Sequence, residues 1–416
     1  MAALRVLLLA TALATTLLAC DAEIPEPSAA GAETVVEEID APAAAGSGEP
    51  ALAVGEGGRV YLSWIEPEGD GHALRFATRT GGAWSEPRTI ARGEHWFVNW
   101  ADFPSILELP DGALAAHWLA KSGPGTYAYD VLVARSADGG ETWSDPVVPH
   151  RDGTETEHGF VSMFPAEDGG LGLVWLDGRE YAGREPGDPG AEMTLRAARI
   201  AAGAVEDEAL LDGRVCDCCQ TDVAIAAEGP VVAYRDRSPE EIRDISVVRL
   251  VGGAWSDPAR IHPDDWEIAA CPVNGPAIAA RGERVAVAWY TAARDTLRVR
   301  LARSTDAGAT FGEPVGIDAG APEGRVDVAL LESGEALVSW LERAEDGNGL
   351  ILARRVGSDG RLGEPVTVAR TSYARASGFP RMALSGDEAV FAWTDPVEPS
   401  RVRTATARLA AIPSPD

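Results

Sequence analysis

Three of the chain's five cysteines crowd into the stretch RVCDCCQTDVA, residues 214–224, as Cys216, Cys218 and Cys219. Cys20 lies far upstream, and Cys271 is the remaining thiol. Four clustered or nearby thiols allow three complete pairings. A Cys218–Cys219 bridge would be vicinal and a Cys216–Cys218 bridge very tight, and both strain disulfide geometry. The easier bond joins Cys271 to a member of the cluster and leaves two thiols side by side. Those two can bridge, stay reduced or hold a metal. C-x-C-C with a distant cysteine is not a standard zinc spacing. Thiolates packed this closely suit a soft ion, Cu(I) before Zn(II). Asp102, His158 or Asp217 would join such a site where loops converge. Disulfide staples and a thiolate metal or redox site are both open, and no cofactor is required.

The compartment bears on that choice. The chain opens MAALRVLLLATALATTLLAC, with a positive start at Arg5, an apolar run and small residues before Cys20. This reads as a secretory signal, too short to span a bilayer and stay. Its end, Leu17-Leu18-Ala19-Cys20, resembles the lipobox of bacterial lipoproteins. The resemblance implies that Cys20 becomes the lipidated N-terminus; an ordinary cleaved signal is the alternative. Residues 1–19 are then the signal peptide, 20–48 the lipidated cysteine and a flexible tether, 49–410 the folded body and 411–416 a tail. The lipid is the expected membrane attachment, on the periplasmic side of the inner or outer membrane of the cell envelope. Asp21 hints at retention in the inner membrane. An exported chain meets oxidising surroundings, where disulfides persist. The net charge of −29, with Lys121 as the single lysine, argues against nucleic acid or anionic lipid as a partner.

Loops and strands must position these residues, and a repeat sets the strands. An aromatic recurs at Trp64, Trp118, Trp175, Tyr234, Trp289, Trp340 and Trp393, each closing the second strand of a unit. The leading strands are ALAV (51–54), SILEL (105–109), VSMF (161–164), DVAIA (222–226), PAIAA (276–280), VDVALL (326–331) and PRMAL (380–384). They alternate or run apolar, as half-buried and buried strands do. Units of four short strands at this period predict an all-β, seven-bladed β-propeller of antiparallel blades, because one unit cannot bury both faces of its sheet. The last unit shows three strands, and ETVVEEID (33–40) is a candidate to supply its outer strand and close the ring. Six blades plus an extra N-terminal sheet is the alternative.

Two turns, Ser136-Ala-Asp138-Gly-Gly140-Glu-Thr142-Trp143 and Ser304-Thr-Asp306-Ala-Gly308-Ala-Thr310-Phe311, share S-x-D-x-G-x-T-[WF]. The Ser and Asp side chains can bond backbone N–H groups within the turn, and Gly takes positive φ cheaply. The pattern resembles the Asp-box, or bacterial neuraminidase repeat, of the sialidase superfamily. Weaker echoes are TGGAWSEP (80–87), VGGAWSDP (251–258) and GSDGRLGEP (357–365). The resemblance implies the propeller fold, not an activity.

The same resemblance places these turns on one face and the ligand site on the other, around the central channel. The loops on that second face hold most of the unusual residues: 93–104, 150–160, 214–222, 264–276 and 372–381 entering inner strands, and 120–130, 177–192 and 235–244 joining second to third strands. Long loops within compact repeats are commonly functional.

Sialidases hold a sugar carboxylate with three arginines and use an Asp acid with a Tyr nucleophile polarised by Glu, an exception to the two-carboxylate scheme. The stretch Asp102-Phe103-Pro104-Ser105-Ile106, followed by Pro110-Asp111-Gly112-Ala113-Leu114-Ala115, aligns with their first-arginine motif, but Asp102 stands at the arginine position. Where another arginine is common, the chain has Lys121. A carboxylate there reverses the sign of the interaction with an anionic ligand. Arg179, Arg235, Arg237, Arg375 and Arg381 remain as cations, and Tyr127, Tyr129 and Tyr290 as candidate nucleophiles. The weak catalytic candidates are therefore Arg179, Arg235, Arg375 and Tyr290. The stretches CDCCQTDVA (216–224), YRDRSPEEIRDISVV (234–248) and WEIAACPVNGP (266–276) also resemble bacterial propeller lipoproteins grouped with sialidases by fold alone.

The expected function is ligand binding at a polar channel mouth formed by Asn99, Asp102, Tyr127, His158, Arg179, Arg235, Arg237, Asn274, Arg375 and Arg381. The partner would be a glycan, a peptide or an envelope protein, and the chain a monomer. Trp96 and Trp100 would serve as a sugar platform or as loop anchors. The rivals are an exo-sialidase-type glycoside hydrolase and a periplasmic copper, zinc or redox protein centred on Cys216, Cys218, Cys219 and Cys271.

Overall fold

The computed structural model describes residues 35–184 and 188–415. The expected signal peptide, the lipidation at Cys20 and the start of the tether lie outside the described residues. Seven antiparallel sheets follow one another along the chain. Their inner strands are Gly48–Val54, Ser105–Glu108, His158–Pro165, Asp222–Ala226, Ala277–Arg281, Pro322–Leu330 and Arg381–Ser385, and they define blades 1 to 7. Inner strands pack against their neighbours except between blades 2 and 3, where the third strand of blade 2 meets the inner strand of blade 3, and blade 7 packs against blade 1, so the sheets form a ring. This is the seven-bladed propeller that the aromatic period predicts, and the six-bladed alternative falls away.

Val36–Ile39 pairs antiparallel with the last long strand, Arg401–Arg408, with Val36 opposite Ala407 and Ile39 opposite Thr404. Blade 7 is thus built from both ends of the described chain. Blade 2 has three regular strands, and Val147 supplies its outer edge through a reciprocal bridge with Val133.

The second strands carry the core. Leu171–Asp177 is buried at every position, as expected of a strand covered by sheets on both sides. The seven period-marking aromatics are all buried between blades. A buried indole needs an acceptor for its N–H, and the chain supplies one two residues on. Trp64 Nε1 donates to Glu66 at 2.8 Å, Trp175 to Asp177 at 2.7 Å and Trp340 to Glu342 at 2.5 Å. Trp289 uses Asp264 instead, at 2.6 Å. Trp64, Trp175 and Trp340 therefore pack blade junctions and each pin a carboxylate at the end of their own strand.

The two S-x-D-x-G-x-T turns follow the third strands of blades 2 and 5. In the first, Ser136 Oγ donates to Asp138 at 2.8 Å and accepts the Gly140 N–H at 2.8 Å. Asp138 accepts the N–H and hydroxyl of Thr142 at 2.9 and 2.6 Å. Ser304, Asp306, Gly308 and Thr310 repeat the pattern in blade 5. Gly140 has φ +88°, and a Cβ there would sit 2.3 Å from Phe76, so the position accepts only glycine.

Candidate functional site

Because the strands alternate in direction, the loops entering inner strands and those joining second to third strands open on one end of the ring, opposite the two Ser/Asp turns. At that end a pocket of about 980 Å³ lies over blades 2 to 4. Loops 93–104, 122–128 and 150–157 and the segments 178–184 and 188–193 wall one side, and segments around Cys218, Arg237 and Cys271 wall the other.

Its floor is a three-residue cluster. Tyr129 begins the third strand of blade 2, and its ring stacks on Phe97 with centroids 3.9 Å apart and planes within 8°. The Tyr129 hydroxyl lies 2.8 Å from Asp102 Oδ2 and 2.9 Å from Glu157 Oε1. Asp102, buried, also accepts the Phe160 N–H at 2.7 Å. Gly159 makes this meeting possible: a Cβ there would stand 2.0 Å from Asp102 Oδ2 and 2.8 Å from the Tyr129 ring.

One hydroxyl proton cannot serve two ionised carboxylates at hydrogen-bond distance. When Tyr129 donates to one, the other must carry its own proton and donate to the phenol oxygen. Burial acts in the same direction, since desolvation disfavours the charged form. It pushes Asp102 up from 3.8 to about 7 and Glu157 up from 4.5 to about 8. Burial and the flanking carboxylates push Tyr129 well above its ordinary value. Near neutral pH the cluster is a neutral phenol between two carboxyls whose values burial has raised towards neutrality.

The arginines of the wall are largely committed. Arg237 grips Glu241 through two nitrogens at 3.0 and 2.7 Å, and Arg214 reaches Glu192 at 3.1 Å. Asp217 accepts the hydroxyl of Tyr181 and faces Arg237 at 3.6 Å. Arg375 is exposed, and its side chain makes no hydrogen bond or ion pair among the described residues.

Of the residues singled out from sequence, Asn99, Trp100, Asp102, Tyr127, Tyr129, Asp217, Arg237, Arg375, Cys218 and Cys271 line this pocket. The others lie outside its lining. Arg235 is 1% exposed and donates to the carbonyls of Asn274, Arg243 and Tyr290, with its guanidinium 4.9 Å from the Trp266 ring. Asn274 accepts the Arg325 N–H at 2.7 Å, and Tyr290 meets Trp266 edge-on at 5.7 Å. Arg381 sits 3.4 Å from Asp327 and over Phe103. These four tie blade joints together. Arg179 and His158 lie in blade 3: Arg179 is forked onto Asp177 at 2.8 and 2.7 Å, and His158 is fully buried.

The cysteines cluster at the pocket's edge. Cys216 and Cys219 are buried with sulfurs 2.9 Å apart, and Arg243 Nη1 lies 3.4 Å from Cys216. Half-buried Cys218 stands beside exposed Cys271, near enough to share a hydrogen bond. Burial opposes ionisation of Cys216, but hydrogen bonds from Cys218 and Cys219, together with the Arg235 guanidinium, hold it well below the usual thiol range.

Sequence reasoning missed Glu157. The loop HRDGTETEHGF was marked as unusual, but it carries three carboxylates, and nothing in its spacing distinguishes the one that reaches Tyr129.

No family model matches the chain, and no curated protein matches it. Solved structures do. A protein of unknown function from Dyadobacter fermentans is 14% identical over 90% of this chain and 99% of its own, with a TM-score of 0.50. The GH93 α-L-arabinofuranosidase of Fusarium graminearum, solved with arabinobiose, is 14% identical over 91% of this chain and 99% of its own, with a TM-score of 0.51. The K499G mutant of NanB sialidase from Streptococcus pneumoniae is 9% identical over 90% and 94%, at 0.47. At these identities the likeness shows the fold alone, and the first two matches carry it.

Proposed function

We propose that this chain is a lipid-anchored envelope protein whose propeller takes a glycan into the pocket over blades 2 to 4. The observation that carries the reading is the composition of that one pocket. Aromatic faces at Trp100, Tyr127 and Tyr181 stand around a floor of buried, proton-sharing carboxyls. Aromatic rings cover the apolar faces of sugars, while a few placed polar groups fix orientation. Tyr127 is 58% exposed, which leaves its ring free to receive a ligand. Unpaired Arg375 adds a cation for a carboxylate or sulfate on the sugar. The test is a glycan array probed with the mature protein. Retention of a defined glycan, lost in Tyr127→Ala, supports the reading; an array with no retained glycan sinks it.

A second reading, glycosidic bond cleavage, is favoured by the Asp102–Tyr129–Glu157 cluster. An Asp, a Tyr and a Glu are the residue types that the sialidase resemblance requires for acid, nucleophile and polarising base. Burial keeps the carboxyls partly protonated near neutrality, as a leaving-group acid must be. Release of a fluorophore from an arabinofuranoside or sialoside panel, abolished by Asp102→Asn, would establish turnover.

A further inference from the structure

We propose that the four cysteines at the pocket's edge form a thiol–disulfide exchange site, which takes two electrons from a dithiol and returns them to a disulfide. Cys218 and Cys271 are its accessible couple, and Cys216 and Cys219 its buried one. Cys271 is exposed, Cys218 is half-buried, and both line the pocket, where a thiol-bearing ligand can reach them. Cys216 and Cys219 are each 1% exposed. The sulfurs of Cys216, Cys218 and Cys219 all lie within 4.8 Å of one another, and Cys218 also reaches Cys271. Cys218 is thus in reach of the other three sulfurs and joins the two couples.

The spacing favours exchange over a metal. Two sulfurs on one zinc ion stand roughly 3.8 Å apart, whereas those of Cys216 and Cys219 are 2.9 Å apart. A small turn of either side chain brings that pair to the roughly 2.0 Å of a disulfide.

The charges favour a thiolate in the buried couple. Arg235 is buried, spends its donors on the carbonyls of Asn274, Arg243 and Tyr290, and makes no ion pair among the described residues. A buried cation calls for an anion. The nearby carboxylates are already matched, with Arg243 on Glu241 at 2.8 Å and Arg237 on Asp217 at 3.6 Å. A Cys216 thiolate is the anion that Arg235 lacks. Arg243 Nη1 lies 3.4 Å from its sulfur, which also accepts the Cys218 N–H. Burial and the Cys216 sulfur push Cys219 up, so it stays a thiol. A thiolate stabilised in this way is a good leaving group.

In the oxidised site Cys218 is bonded to Cys271, and Cys216 to Cys219. A donor thiolate attacks Cys271 Sγ, and the electron pair of the broken bond goes to Cys218. The donor's second sulfur, having lost its proton to water, attacks the first. The donor departs as a disulfide, and Cys271 is left as a thiolate. Cys218 then attacks Cys216 and expels Cys219, which takes up a proton. The Cys216–Cys218 bond so formed closes a very short loop and is strained. Cys271 attacks Cys218, restores the outer bond and releases Cys216 as the thiolate beside Arg243. Two electrons now rest on the buried couple, and an acceptor disulfide recovers them by the reverse steps.

The test follows reduction of the oxidised protein by dithiothreitol, the probe dithiol, with acid quenching, alkylation and peptide mapping. Wild type should lose both bridges, the inner one through the outer. Cys218→Ser, near-isosteric at a half-buried position, removes the internal route, so its Cys216–Cys219 bridge should open about tenfold more slowly or worse. Reduced wild type should show the ultraviolet absorbance of about one thiolate per chain at pH 7, missing from Cys216→Ser. Four results would each overturn the proposal: oxidised protein without a Cys216–Cys219 bridge, an inner bridge that opens equally fast in Cys218→Ser, reduced protein without the thiolate absorbance, or reduced protein that holds a zinc or copper ion on these cysteines.

Discussion

Tyr129 and Glu157 face each other across a parallel β-bridge between blades 2 and 3, and their side chains meet at 2.9 Å. The backbone pairing fixes the side-chain meeting, so the pocket floor is rigid before any ligand arrives. Removing the hydroxyl should show this. Tyr129→Phe leaves two buried carboxyls facing an apolar edge and should cost about 1–3 kcal/mol. Urea denaturation at pH 6 and pH 9 measures it, with the larger loss at pH 9, where both carboxyls are ionised.

The same carboxyls give the wild type a signed pH dependence. Both folded-state values lie above the unfolded ones, so the folded chain binds more protons in the interval between them. Stability from this cluster therefore declines as pH rises from about 4 to 7 for Asp102 and from about 4.5 to 8 for Glu157, then levels off. Asp102→Asn removes the first of these declines. Melting temperatures of wild type and variant across pH 4–9 should converge at the acid end and separate as pH rises. Parallel curves would show that Asp102 titrates normally.

Arg375 is exposed and unpaired, so replacing it removes no internal contact. Arg375→Ala should keep stability within about 0.5 kcal/mol of wild type. It should weaken an anionic glycan about tenfold or more and leave a neutral one unaffected. Calorimetry with a matched uronic and neutral oligosaccharide pair separates the two effects.

Cys216, Cys218 and Cys219 form one sulfur cluster, in which Cys216 and Cys219 are 2.9 Å apart and Cys218 also reaches Cys271, so the pairings with least movement are Cys216 with Cys219 and Cys218 with Cys271. Protein recovered from an oxidising compartment should yield those two cross-linked peptides on non-reducing digestion. A Cys216–Cys271 link would show that the loops carrying them rearrange.

Trp340 fills the junction of blades 5 and 6 and donates to Glu342. Trp340→Ala should cost about 3–5 kcal/mol through the cavity it leaves, and more with Glu342 left without its donor. Thermal unfolding measures the loss.

The architecture was legible because an aromatic at a fixed period has one physical cause: each blade junction needs a large apolar wedge, and in three units its indole N–H also reaches a carboxylate at the strand end. Trp64 with Glu66 and Trp175 with Asp177 show the device in the sequence itself. The site was legible in part. Asp102 stood out because it replaces a cation in a recognisable stretch, and Tyr127 and Arg375 because they fall in long loops. Tyr129 stood only as one of three candidate nucleophiles, and Glu157 did not stand out, because their meeting depends on a bridge between two blades and on the missing side chain of Gly159, neither of which leaves a local pattern. Arg235 looked like a ligand-binding cation, yet its guanidinium spends its donors on three backbone carbonyls. A chain position cannot reveal whether a fork of N–H groups points at solvent or at the main chain.

The pairing of Val36–Ile39 with Arg401–Arg408 sets a timetable for synthesis. A growing polypeptide can stack its petals in order, but the circle stays broken until Arg401–Arg408 has been made, and two ragged edges remain open to mispairing with other strands until then. A stop codon anywhere before the final petal would therefore release an aggregation-prone fragment instead of a slightly smaller working protein.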